Sequence, residues 1–308
     1  TPLFLWLLIQ PVEILPPLDR ERAIGAVESF IVRRMAWKAQ TRAYSQVFVE
    51  VLRAAQRSDH PGQAVIEALA SSPHRYSWPN EIDLEDAFAS GRYYGPGGVN
   101  QDRLRLLLGA VDADLQRRSL KAEPLKVDYD QLQIEHVIPQ GWRTHWPLEG
   151  LGQAELLVAE QDRDRHLHCI GNLTLATAPL NVSLAHDPWG AKRRELQKHS
   201  KLELNALLIE QEVWNEEHIV ERGRWLARQI DRVWPGPSSD VWQLQKTTHA
   251  LGGTRHMAKS QHVRHPSGHE HSQSTGESTG SKGQDSEDFY PGLYRRICQV
   301  VSAGDRLP

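Results

Sequence analysis

Helical spacing of apolar residues runs through this 308-residue chain with one break, and the break decides what the chain can fold into. Ile24, Val27, Ile31 and Met35 recur at intervals of three and four, and Val47, Val51 and Leu52, then Leu104, Leu107, Leu108 and Val111, make similar stripes. Such stripes each give a helix one apolar face. Pro73, Pro79, Gly91 and the run Gly95-Pro96-Gly97-Gly98 punctuate them, so residues 1–125 read as a multi-helix module. Near residue 126 the pattern changes to short extended segments, Gln131 to Ile138 and Asn172 to Ala176, each closed by Pro, Gly or a polar turn. Asp187-Pro188 then reads as a helix start, with Asp as cap and Pro at the first helical position. Leu204, Leu207, Leu208, Ile219, Leu226, Ile230 and Val233 restore the helical spacing. The expected fold class is mostly α with a small α+β insert: a core of strand, insertion, strand and helix at 126–201, with helices at 202–235 packing on it.

Charge and cysteine content narrow the setting. With 36 basic and 39 acidic side chains the net charge is −3, so any contact with nucleic acid must come from local clusters. Two cysteines, Cys169 and Cys298, make no disulfide framework, and a cytoplasmic location is expected. The apolar run Leu3 to Ile9 is far shorter than the roughly 20 residues that span a bilayer. It lacks the basic flank and small-residue cleavage site of a signal peptide, so it reads as a core element and no membrane association is expected. Thr1 rather than Met opens the sequence, and a longer parent polypeptide is expected. Residues 236–287, rich in Ser, Gly, His and Gln, read as a disordered linker, because few large apolar residues are there to offset chain entropy. Leu293, Ile297 and Val301 suggest one amphipathic helix in 288–308, the start of a further, truncated domain.

Hydrolysing a phosphodiester with one metal ion requires a group that deprotonates water, ligands that fix the ion against the scissile phosphate, and a donor for the developing charge. Ile134-Glu135-His136-Val137-Ile138-Pro139-Gln140 offers the first two together. Adjacent side chains on a strand point to opposite faces, so Glu135 and His136 serve one centre only where the strand ends and bends; Pro139 and Gly141 supply that ending. Gly171-Asn172-Leu173-Thr174-Leu175 follows, then Asn181, His186-Asp187-Pro188-Trp189 and Lys192-Arg193-Arg194. Asn181 can add a neutral oxygen ligand to the Glu135 carboxylate in a hard-cation site. Histidine followed by asparagine in this layout is the core of an HNH motif.

Those runs, with Asn181 nine positions after Asn172 and a Lys-Arg helix beyond, resemble the C-terminal nuclease domain of the GmrSD family of modification-dependent restriction enzymes. Similar order and spacing occur in the HNH domain of RNA-guided CRISPR nucleases. The specific likeness covers about residues 130 to 200, and a looser one reaches back to Glu28-Ser29-Phe30-Ile31-Val32-Arg33-Arg34. The resemblance implies a ββα-metal (HNH, or His-Me finger) nuclease core embedded in a helical domain. It also implies a divalent cation, Mg²⁺ or Mn²⁺, and a metal-dependent DNA endonuclease that nicks or cleaves foreign or modified DNA in bacterial restriction or anti-phage defence. In such proteins an N-terminal NTPase-like sensor domain of ParB-like type precedes this region, and it is not in this stretch. Carried over residue by residue, His136 is the general base, Glu135 and Asn181 bind the metal, and Asn172 braces the loop through hydrogen bonds to backbone. His186, Lys192 and Arg193 contact phosphate, and His186 can instead approach the metal. Glu135 departs from the Asp found in many such sites, which leaves open direct coordination or a bridging water.

From Lys192 to Lys201 five Lys or Arg stand against Glu195 alone, read either as a solvated helix face or as a phosphate-contacting one. His166-x-His168-Cys169 lacks the matching second pair of a structural zinc site. The alternative function is a non-catalytic DNA-binding or protein-interaction module that keeps an HNH-like skeleton, and an RNA-directed nuclease is a third reading. Cutting both strands from one active site would favour a homodimer.

Overall fold

A computed structural model describes residues 2–42, 44–119 and 126–243. The first half is helical: α1 (Pro2–Ile9), α2 (Pro17–Ala36), α3 (Tyr44–Gln56), α4 (Pro61–Ala70), α5 (Glu81–Ser90) and α6 (Gln101–Arg118). Local signals explain where these begin. Asn80 and Asp83 close a reciprocal capping box at the head of α5, and the Asn100 side chain accepts the Arg103 N–H at the head of α6. In α1 only Leu3 and Leu7, one turn apart, are buried, so the apolar run is a helix packed along one edge.

Strand β1 (Gln133–His136) follows, then α7 (Trp142–His145) and α8 (Gln153–His166), and strand β2 (Leu173–Ala176). The strands pair antiparallel, Gln133 opposite Ala176 and His136 opposite Leu173. Helices α9 (Ala178–Leu184), α10 (Trp189–His199), α11 (Ala206–Glu210) and α12 (Glu216–Val233) complete the described chain. The hairpin lies at a seam between two apolar clusters. Ile134, Leu173 and Leu175 join Leu104, Leu107, Leu108 and Leu226 in the larger one; Val137, Ile138 and Ala176 join Trp142, Trp189 and Leu196 in the smaller. No helix among the described residues is long and apolar enough to cross a membrane.

Several boundaries differ from the sequence reading. Helix α10 starts at Trp189 with Pro188 as its extended cap, one residue later than Asp187-Pro188 suggested. Helix α9 was not anticipated; Thr177 as cap and Pro179 in the first turn are its local signals. The linker expected from 236 begins later, because residues 236–243 fold back on α2: Trp242 is buried, its ring lies 5.5 Å from that of Trp78, and its carbonyl accepts from Arg22. The rest of the linker and the helix expected in 288–308 lie outside the described residues. Arg33 and Arg34 are interior: Arg33 bonds the Pro79 and Trp234 carbonyls and Asp231, and Arg34 bonds the Ser77 carbonyl.

Helix α12 approaches the turn before β2 so closely that only glycine fits. A Cβ at Gly171 would stand 1.9 Å from the Ile219 carbonyl oxygen, and one at Gly223 would stand 2.4 Å from the Phe88 carbonyl oxygen. Gly171→Ala is expected to destabilise the protein by about 3 kcal/mol or more in chemical denaturation. Gly150→Ala, at a positive φ of 76° with open space around it, is expected to cost about 1 kcal/mol.

Candidate functional site

Helix α10 places its buried Lys192 beneath β1, beside the buried Trp189 and Leu196. Lys192 Nζ lies 2.6 Å from Glu135 Oε1 and donates to the His136 carbonyl oxygen at 2.8 Å. Burial pushes the Glu135 carboxyl up from the ordinary carboxylate range and the Lys192 ammonium down, and the contact of opposite charges resists both shifts. Lys192 was expected to reach a phosphate. At 1% exposure it is instead the counter-ion that allows a carboxylate to sit in this interior.

His136 ends β1 with 5% exposure. Its Nε2 lies 3.1 Å from His168 Nδ1, and the Tyr94 ring stands edge-on to it at 4.6 Å. Tyr94 also stacks on His168, at 6.0 Å and an 11° interplanar angle. Burial, followed by the charges of neighbouring His168, Lys192 and Arg92, lowers the His136 pKa to about 3. Burial and Arg92 also lower that of His168. At neutral pH both imidazoles are therefore uncharged, and one proton joins Nε2 to Nδ1.

Asn172, with no exposed surface, bonds three backbone groups. Its Oδ1 accepts the Ile138 N–H at 2.8 Å, and its Nδ2 donates to the carbonyls of Ile138 and Leu167. Trp214 Nε1 donates to the same Oδ1, and Arg222 donates at 2.7 Å to the carbonyls of Gly171 and Leu173. The loop after His136 and the turn before β2 are thereby locked together.

Asn181, on α9, donates Nδ2 to Gln133 Oε1 at 2.7 Å, while its Oδ1 is buried with no hydrogen-bond partner among the described residues. Gln133 and Glu135 are two apart on a strand, so Asn181 reaches the face of β1 that carries Glu135. His136, one residue on, points to the other face with Tyr94 and His168, because pairing with β2 still holds at this position. His186 is exposed and stacks on His145 at 4.2 Å, and Arg193 donates Nε to the Ile209 carbonyl. The structure thus brings Glu135, His136, Asn172, Asn181 and Lys192 to one hairpin and its flanking helices, with His186 and Arg193 bonded elsewhere.

His168, Tyr94 and Gln133 were missed by sequence reasoning. His168 had a signal in His166-x-His168-Cys169, which was weighed only as a zinc site and set aside for want of a second pair. Here His166 bonds the Asp162 carbonyl and Cys169 the Arg165 carbonyl. Tyr94 sits beside the Gly-rich turn, whose Gly95 and Gly97 have φ of 71° and 79°; its contact with a strand 40 residues later left no local trace.

The described chain is thus a helical protein built around a short hairpin with a polar, histidine-bearing centre. Residues 78–229 match the family of GmrSD restriction endonucleases, C-terminal domain, and it is this stretch that is similar to that family. That family's description implies a restriction-endonuclease role, with nuclease activity on DNA. No curated protein gives a significant match.

A histidine held neutral by burial makes stability depend on pH. The unfolded chain binds a proton at about pH 6.5 and the folded one only near pH 3, so stability is full above pH 6.5 and is lost as pH falls through that window. The unfolding free energy in EDTA is expected to drop by about 2 kcal/mol between pH 6.5 and 5, and His136→Gln is expected to flatten that slope.

Proposed function

We propose that this chain is a metal-dependent DNA endonuclease of the HNH type, acting on foreign or modified DNA in a restriction system. The supporting observation is that Glu135 and His136 close β1 on its two faces, with Asn172 bracing the loop behind them and Asn181 bonded to Gln133 of the same strand, its own Oδ1 buried without a partner among the described residues. His136 is the general base. Water attacks phosphorus, the new P–O bond forms as the P–O3′ bond breaks, the attacking water's proton passes to His136, and the leaving O3′ takes a proton from solvent water. His168 shares that proton across the 3.1 Å contact, and its half-buried ring leads toward solvent. The products carry 5′-phosphate and 3′-hydroxyl ends.

Glu135 and Asn181 fit a hard divalent ion such as Mg²⁺ or Mn²⁺. A site with one carboxylate and one amide oxygen leaves positions for water and phosphate oxygens, which is how magnesium is commonly held. Among the described residues no group of three or more His, Cys, Asp or Glu makes a denser cage. When bound, the ion would supply charge stabilisation at the phosphate and a lower pKa for the attacking water. Lys192 holds Glu135 in place and opposes the rise that burial imposes on its carboxyl. Phosphate contacts then fall to the exposed cations of α10, Arg194 and Lys198, with His186 and Arg193 at the edge.

Supercoiled plasmid incubated with the full chain and Mg²⁺ or Mn²⁺ is expected to be nicked, EDTA is expected to stop this, and His136→Ala is expected to slow it by about 10²–10⁴-fold with an unchanged circular dichroism spectrum. Gel retardation without nicking in any divalent metal would instead support a DNA-binding module. The nearly complete burial of His136 and the closed Glu135–Lys192 pair are the features that favour this second reading.

A further inference from the structure

Away from the hairpin, α1, α2 and α3 enclose a cavity of about 580 Å³, within the roughly 300–1,000 Å³ range of small-molecule sites. Its apolar walls come from Leu3, Met35 and Phe48, with the Tyr44 ring at one side. Its charged lining is of one sign: Lys38, Arg42 and Arg103 face it, and no Asp or Glu lines it. The Arg103 Nε is buried without a hydrogen-bond partner among the described residues. Lys38 has a left-handed backbone, φ 56°, which is costly for a residue with a side chain, and its Nζ donates to the Arg92 carbonyl at 3.1 Å. Neither the nuclease chemistry nor the helical packing uses this combination.

We infer that the cavity binds a small amphipathic anion: an aromatic or otherwise apolar body seated between Met35 and Phe48, with one carboxylate or phosphate group meeting Arg103 and Lys38. Apolar walls gain from displacing water, and a lining whose charged groups are all cations gains most from an oxyanion, since charge-assisted hydrogen bonds are about twice as strong as neutral ones. An apolar molecule alone would leave the cationic lining without a counter-charge, and a cationic one would meet like charge. The ligand would also lie against Gly98 and Val99, at the end of the loop that brings Arg92 and Tyr94 to His136 and His168.

Calorimetric titration of the full chain with 2-naphthoate, and with the 2-naphthylmethylammonium cation of matching shape, tests this. Naphthoate is expected to bind one molecule per chain, and the cation at least about tenfold more weakly. Arg103→Gln, whose side chain makes no hydrogen bond to be lost within the described residues, is expected to weaken naphthoate binding about tenfold without shifting the melting temperature. Leu52→Trp, which fills the cavity from α3, is expected to abolish binding. No binding of naphthoate, equal binding of the two probes, or an affinity unchanged by Arg103→Gln would overturn the inference, and none of these results bears on plasmid nicking.

Discussion

The hairpin site depends on one buried ammonium. Lys192 reaches from α10 across 57 positions of sequence to Glu135 and, through the same nitrogen, to the carbonyl of His136. A carboxylate with 9% exposure would shed its charge without such a partner. Removing the amine alone would leave an uncompensated buried charge, a change that typically costs about 3–5 kcal/mol. The pair therefore fixes where α10 sits against β1, and Lys192 opposes the burial that raises the Glu135 carboxyl.

Asn172 is the second fixed point. One amide closes the loop after His136 against Ile138 and Leu167, and Trp214 and Arg222 close the turn from the other side. Gly171 permits this only because it lacks a side chain where α12 passes. Asn172, buried with both its amide oxygen and its amide nitrogen bonded, defines one arrangement, so the two catalytic candidates on β1 are presented on a stiff support.

Much of this was legible in the chain itself. Apolar periodicity marked the helices, the change near residue 126 marked the hairpin, and Glu135, His136, Asn172 and Asn181 drew attention through spacing and residue type. What was not legible came from contacts distant in sequence. The burial of Lys192 reads identically to a solvated basic helix until α10 is seen beneath β1. His168 and Tyr94 join His136 because the long insertion and the Gly95–Gly98 turn fold to the same place, and no local pattern encodes that meeting. Trp242 likewise looked like linker, because one aromatic in a polar stretch gives no periodicity, yet it seats on α2.

The central claim is that Glu135 and Asn181 share a single divalent ion at the end of β1, the strand that His136 closes. Titration of Mn²⁺ by electron paramagnetic resonance, using His136→Ala protein with DNA bound, tests it most directly. The account predicts one bound ion per chain, lost when Glu135→Gln is added and weakened about tenfold or more by Asn181→Ala. No bound ion, or the same occupancy with Glu135→Gln in place, would contradict it.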